Sequence, residues 1–172
     1  MLTLLVGGVR SGKSTRALRL AERSGSPVVF IATAERIDTD MDERIDRHRL
    51  ERPDHWLTVE EPLDLGAAIR AAAAEATVVV DCLTVWMANL LHHVADESAR
   101  AAMVDNLLAA LDTRTATTVV VSNEVGMGIH PETELGRVYR DDLGRVNQRV
   151  ASIADEVVLC VAGRTLRLDP PD

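Results

Sequence analysis

Near the start of the chain an apolar run, Thr3–Val6, leads directly into Gly7-Gly8-Val9-Arg10-Ser11-Gly12-Lys13-Ser14, and a stretch of helical spacing, Ser14–Arg23, follows. The octet satisfies every fixed position of G-x-x-x-x-G-K-[ST], and a strand before it with a helix after it is the context in which such a loop works. Glycines let the backbone turn so that successive N–H groups face an anion. The helix that opens near Lys13 adds the positive end of its dipole. Lys13 reaches the β- and γ-phosphates of a bound nucleotide, and the Ser14 hydroxyl is a ligand for Mg²⁺.

The rest of the chain repeats the same alternation. Strands are expected at Val28–Ala32, Thr77–Asp81, Thr118–Ser122 and Glu156–Val161, with Thr165–Leu168 returning through a turn at Ala162-Gly163-Arg164. Most are continuous Val/Ile/Leu runs, the signature of strands buried on both faces. Helices are expected at Met41–Leu50, Leu63–Glu75, Val85–Val94, Ser98–Asp112 and Asp142–Ala154. The pattern predicts an α/β fold, a mostly parallel sheet with helices on both faces. A length of 172 residues suits a single nucleotide-binding domain over residues 1–172.

Composition narrows the function. With 47% hydrophobic and 27% charged residues the chain is ordinary globular material. Two Trp, one Tyr and one Phe leave no stacking platform for single-stranded nucleic acid, and a net charge of −8 gives no basic footprint for nucleic acid. No apolar run reaches the roughly 18 residues of a membrane span. The first apolar run lacks a basic leader and reads as a strand rather than a signal peptide. Cys82 and Cys160 sit in apolar runs without CxxC spacing, as expected of reduced thiols in a cytoplasmic protein.

In open parallel sheets ligands bind at the carboxyl ends of the strands. Asp81 ends the run Val78-Val79-Val80, where it can hold Mg²⁺ beside Ser14 or cap the helix that follows. Beyond the second strand, Met41, Ile45 and His48 share one helical face, with Arg44, Arg47, Arg49 and Arg52 around the imidazole. Arginines disfavour a second positive charge on His48 and attract phosphates, which suits a nucleophilic imidazole, yet spacing alone favours a half-buried structural histidine. After the fourth strand, Glu124 opens a loop with Gly126, Gly128 and Pro131; it can act as a base, support Mg²⁺ from a distance, or serve the turn. Arg137, Arg140 and Arg145 either add charge near phosphates or form surface pairs.

Seven segments in order carry a resemblance: Gly7–Ser14, Ile31-Ala32-Thr33-Ala34, Arg44-Ile45-x-x-His48, Arg52-Pro53-x-His55-Trp56, Asp81-Cys82-Leu83-Thr84, Asn123-Glu124-Val125-Gly126-Met127-Gly128-Ile129 and Arg145-Val146-Asn147-Gln148-Arg149. Over roughly residues 2–163 the chain resembles the bifunctional adenosylcobinamide kinase/adenosylcobinamide-phosphate guanylyltransferase family of cobalamin biosynthesis. The resemblance implies a P-loop NTPase of RecA-like type, ATP and GTP as co-substrates, Mg²⁺, and a homotrimer. It implies phosphorylation of adenosylcobinamide, then transfer of GMP from GTP through a guanylylated histidine to give adenosylcobinamide-GDP. His48 matches that histidine, with Lys13 as the other catalytic residue. Nucleotide contacts carried over by position are Gly7, Gly8, Val9, Arg10, Ser11, Gly12, Lys13, Ser14, Thr33, Ala34, Arg49, Leu50, Glu51, Arg52, Glu60 and Asp81, with Ser14 and Asp81 as metal ligands. His130 departs from the family pattern, which has a small apolar residue there. Two rival readings are a plain small-molecule kinase with a structural His48, and a non-catalytic nucleotide-binding subunit.

Overall fold

In a computed structural model that describes residues 1–36, 39–50 and 52–170, the chain forms seven strands and six helices among those residues. They are, in order, β1 (Leu2–Gly7), α1 (Lys13–Arg23), β2 (Val28–Ala32), α2 (Thr39–Leu50), β3 (Leu57–Glu60), α3 (Leu65–Ala71), β4 (Thr77–Asp81), α4 (Leu83–His93), α5 (Glu97–Asp112), β5 (Thr118–Val121), α6 (Glu134–Ile153), β6 (Glu156–Val161) and β7 (Arg164–Leu168). The side chains of residues 39–41, 43 and 44 in α2 lie outside the description, and with them Met41 of the expected shared face and Arg44 of the expected arginine cluster.

One sheet runs in the order β3-β2-β4-β5-β1-β6-β7. Every neighbouring pair is parallel except the β6–β7 hairpin. Glu60 pairs with Ala32, Ala32 with Asp81 and Asp81 with Val121, so β3, β2, β4 and β5 finish level, while β1 passes Val121 at Leu5 and runs two residues further. The strand interiors are apolar on both sides because both sides are covered. Leu5, Phe30, Val79, Val119 and Val121 pack against Ala17 and Ala21 of α1 and against Trp56. Leu4, Ile31, Val78, Val80 and Val120 pack against α3 to α6, where Trp86 is fully buried and its indole N–H donates to the Leu63 carbonyl at 2.7 Å. On α6, Leu143, Val146, Asn147 and Val150 make the i, i+3, i+4, i+7 stripe that faces the sheet.

Three differences from the sequence expectations exceed a shift of one or two residues. β3 is an extra strand: a four-residue edge piece with Leu57 exposed, it lacks the continuous apolar run that marks its neighbours. α6 starts at Glu134, not Asp142, because Thr133 caps it through Gly136 N–H while its first turns carry exposed Leu135 and Val138 rather than a core-facing stripe. α3 stops at Ala71 although the alanines continue to Ala76. There the Arg114 guanidinium collects the carbonyl oxygens of Ile69, Ala72, Ala73 and Ala76, holding the chain in a turn into β4.

Candidate active site

β1 delivers the phosphate loop. Gly7 leaves the strand with φ 151°, and a Cβ there would lie 2.2 Å from the Cys160 carbonyl oxygen, so only glycine lets β1 pair with β6 and turn. Arg10 has φ 56°, and Gly12, at φ 96°, precedes the first turn of α1. The hairpin between β6 and β7 braces the loop from outside, with Gly163 N–H donating to the Ser11 carbonyl at 3.0 Å. Lys13 is buried, and its Nζ donates to the carbonyls of Gly7 at 2.9 Å and Gly8 at 2.7 Å.

Asp81 finishes β4 two strands from β1, and the Ser14 hydroxyl hydrogen-bonds its carboxylate. Burial pushes the Asp81 carboxyl above the usual range, against the opposing pull of His48, Ser14, Arg52 and Lys13. Asp81 is not the helix cap: Cys82 holds the N-cap position of α4, and the Asp81–Cys82 peptide is cis. Burial, helped by the Asp81 charge, pushes the Cys82 thiol up to about 11; Cys160 is also raised by burial, and both are free thiols. Thr33 ties β2 to β4, its hydroxyl donating to the Cys82 carbonyl at 2.8 Å and accepting from Cys82 N–H at 2.9 Å. That commits the Thr33 side chain to bracing, and Asn89 Nδ2 holds its carbonyl.

Beside Asp81 opens a cleft lined by Ala34, Ile45, His48, Arg49, Arg52, Glu60 and Asp81 among others. Ile45 and His48, placed on one face by spacing, do face the same space. The Arg52 guanidinium lies 3.9 Å over the Phe30 ring, an arrangement that fixes a cation's plane. Arg36, just past β2, ties α2 down through Asp46 at 2.6 Å and Asp42 at 3.6 Å. Leu50 points away, 87% exposed, and Val9 is 71% exposed. Glu51 lies outside the described residues.

The loop after β5 also reaches the site, since Glu124 N–H donates to the Gly7 carbonyl at 3.2 Å. The Glu124 carboxylate folds back to accept from Gly126 N–H. The three downstream arginines are engaged locally: Arg137 with the Pro131 and Glu132 carbonyls, Arg140 with Asp141 and with His130 Nδ1, and Arg145 with Asp142. Sequence reasoning missed the Gly163 brace and the Thr33–Cys82 tie, which join segments remote in sequence, and the Arg36 anchor, which depends on how the segment after β2 folds back on α2.

Residues 3–168 match the family described as cobinamide kinase / cobinamide phosphate guanyltransferase. The bifunctional adenosylcobalamin biosynthesis protein CobP of Pseudomonas aeruginosa is 44% identical over 98% of this chain and 97% of that protein. The bifunctional adenosylcobalamin biosynthesis protein CobU of Escherichia coli K12 is 42% identical over 95% and 97%. Among solved structures, the type III secretion ATPase EscN of enteropathogenic E. coli has a TM-score of 0.59 at 12% identity, covering 94% of this chain and 43% of that one. The RadB recombinase has a TM-score of 0.50 at 16% identity, covering 92% and 73%. These likenesses give the fold as a P-loop NTPase of RecA-like type, and the near full-length match makes this chain an enzyme of the cobinamide kinase / cobinamide phosphate guanyltransferase family.

Proposed function

We propose that the chain phosphorylates the aminopropanol hydroxyl of adenosylcobinamide with ATP or GTP, and then moves GMP from GTP onto that phosphate through a covalent His48 intermediate. The observation that carries this reading is the shared cleft: His48, Arg49, Arg52 and Glu60 line the same space as Asp81, which bonds Ser14 of the phosphate loop. A structural histidine has no need of that company.

In the guanylyl step an unprotonated ring nitrogen of His48 attacks the α-phosphorus of GTP. The N–P bond forms, the bond to the α,β-bridging oxygen breaks, and pyrophosphate leaves with the electron pair. A phosphate oxygen of adenosylcobinamide phosphate then attacks the same phosphorus, the N–P bond breaks, and the imidazole is regenerated. Dividing one displacement into two lets each partner be positioned separately. Lys13, Arg49 and Arg52 supply the positive charge that such phosphorus centres require. Ser14 and Asp81 would hold Mg²⁺, since a hydroxyl and one carboxylate completed by substrate phosphates and water is a donor set this ion takes. Among the described residues no cluster of three His, Cys, Asp or Glu side chains offers a cation site of its own. When bound, the ion neutralises triphosphate charge.

Intact-mass measurement after incubation with GTP and Mg²⁺ tests the relay. The expected result is an acid-labile GMP adduct in the wild type that is absent from His48→Asn. A folded, GTP-binding wild type without an adduct returns His48 to a structural role and leaves a plain kinase. An adduct persisting in His48→Asn moves the relay to another residue.

A further inference from the structure

We infer that the corrin ring of the substrate rests on an apolar rim beside the phosphate loop, made by the side chains of Val9, Met127 and Ile129. The inference rests on the corrinoid substrate of the reading above and gives that substrate a place on the molecule.

Exposure singles these residues out. Among the described residues the four most exposed large apolar side chains are Ile129 at 96%, Leu50, Met127 at 83% and Val9. Scattered singly, exposed apolar groups need no explanation. Three of these four are not scattered, and only Leu50, on the outer side of α2, stands apart. Val9 belongs to the phosphate loop, and Met127 and Ile129 belong to the loop after β5. β5 lies between β1 and β4, so the segment that leaves it emerges between the phosphate loop and Asp81. Glu124 N–H donates to the Gly7 carbonyl at 3.2 Å and fixes where the two loops meet. Consecutive Cα atoms are about 3.8 Å apart, which keeps Met127 within about 11 Å of Glu124 and Val9 within about 8 Å of Gly7.

The loop after β5 is held at both ends. Asn147 Nδ2 donates to the Asn123 carbonyl at 3.0 Å, and the Glu124 carboxylate accepts from Gly126 N–H. Further on, Arg137 Nη1 donates to the Pro131 carbonyl at 3.1 Å and the Glu132 carbonyl at 2.8 Å. Between these ties Met127 and Ile129 face water. An apolar surface ordered in advance loses less entropy when a ligand settles on it.

The substrate needs such a surface. A corrin is a broad macrocycle whose rim carries methyl groups and amide arms. One arm ends in the aminopropanol hydroxyl that receives the γ-phosphoryl group. About seven bonds separate that oxygen from the ring, so the ring edge lies within about 10 Å of the γ-phosphate. A ring on so short a tether cannot clear the phosphate loop and must rest on what borders it. A second copy of the chain is the competing occupant of an apolar rim. Each partner in a stable interface contributes about 800 Å², far more than three side chains supply. One edge of a macrocycle is matched by a patch of this size.

Equilibrium dialysis of adenosylcobinamide, read by corrin absorbance, tests this in the full chain with Mg²⁺ and a non-transferable GTP analogue. Wild type is compared with Met127→Gln/Ile129→Gln and with Met127→Leu/Ile129→Leu. Burying a side chain of this size is worth about tenfold or more in an equilibrium constant. Kd for the glutamine pair is expected to rise by about that factor, with KM for phosphorylation rising in step. The leucine pair, which keeps the rim apolar, should stay within about threefold. The initial rate of GMP-adduct formation, which involves no corrinoid, should not change. A glutamine pair that binds within about threefold of wild type overturns the proposal, as does a parallel fall in adduct formation. So does a glutamine pair that sediments with fewer copies per particle than wild type, because the rim then lies between copies. If the pair fails to fold, Ile129→Gln alone, at the most exposed of these positions, carries the same comparison. A wild type that binds adenosylcobinamide without phosphorylating it rejects the kinase reading, and dialysis still decides the rim. A wild type that binds no corrinoid rejects both.

Discussion

At Gly7 a single missing methyl group joins the sheet to the chemistry. The residue pairs with Cys160 across β1 and β6, turns at φ 151°, and its carbonyl receives both Lys13 Nζ and Glu124 N–H. A Cβ would meet the Cys160 backbone carbonyl at 2.2 Å, and backbone cannot swing aside as a side chain does. Gly7→Ala is therefore expected to destabilise the fold by about 3 kcal/mol or more, combining a clash with a disfavoured φ. Gly8→Ala is the control, because nothing lies within 4 Å of a Cβ there, and it should stay within about 1 kcal/mol. Urea unfolding compares them; equal stability of the two variants would show that β1 and β6 can separate at this point. Legibility at this scale was uneven. The phosphate loop was readable because all its chemistry lies in eight consecutive residues. His48 could be singled out by spacing but not given a role, since its surroundings, Glu60 and Asp81, come from other strands. Asn123 and Asn147 were visible only as parts of a motif, because their placement depends on which strand lies between which.

Among the elements, α3 shows tertiary structure overriding propensity. Alanine is the best helix former, and Ala71–Ala76 should have continued the helix. Arg114, just beyond α5, instead binds the Ile69 carbonyl at the end of α3 and three carbonyls of the unwound segment, its Nη2 reaching Ala76 O at 2.5 Å. Burial lowers the pKa of this guanidinium, which still holds its charge at any ordinary pH. Arg114→Ala should destabilise the protein by about 2–3 kcal/mol, the range for charged hydrogen bonds lost with acceptors left behind. Arg114→Lys should recover less than half, because an ammonium cannot span four acceptors as a planar fork does. Chemical denaturation of the three proteins settles the order; a lysine variant as stable as wild type would mean that charge alone suffices. The continuous apolar strands were readable from sequence for the opposite reason, since burial on both faces leaves a local signature. β3 leaves none: it is an edge strand completed by pairing with β2 alone. The start of α6 was signalled only by its Thr133 cap, because two turns of the helix pass before its stripe meets the core.

Across the whole molecule, the cleft is an assembly of segments that only the sheet brings together: Ala34 after β2, His48 and Arg49 on α2, Arg52, Glu60 on β3 and Asp81 on β4, with the phosphate loop joined to it through the Ser14–Asp81 hydrogen bond. Net charge is −8, yet here Arg49 and Arg52 match Asp81 and Glu60, and Lys13 acts on Asp81 from the phosphate loop, so the site does not share the chain's negative excess. A nucleotide bridging these segments binds only the folded chain, and its binding energy then adds to stability by mass action. At a hundredfold excess over Kd that contribution is about 2.7 kcal/mol, roughly a 5–10 °C rise in Tm for a chain of this size. GTP with Mg²⁺ should produce such a rise, and chelation with EDTA should remove most of it. Asp81→Asn should keep a reduced shift that no longer responds to Mg²⁺, because it removes the carboxylate that meets the Ser14 hydroxyl. Thermal scans of both proteins with GTP, with and without the ion, measure this directly. A Mg²⁺ response retained in Asp81→Asn would remove that carboxylate from the metal site and leave the ion held by Ser14 and the phosphates alone.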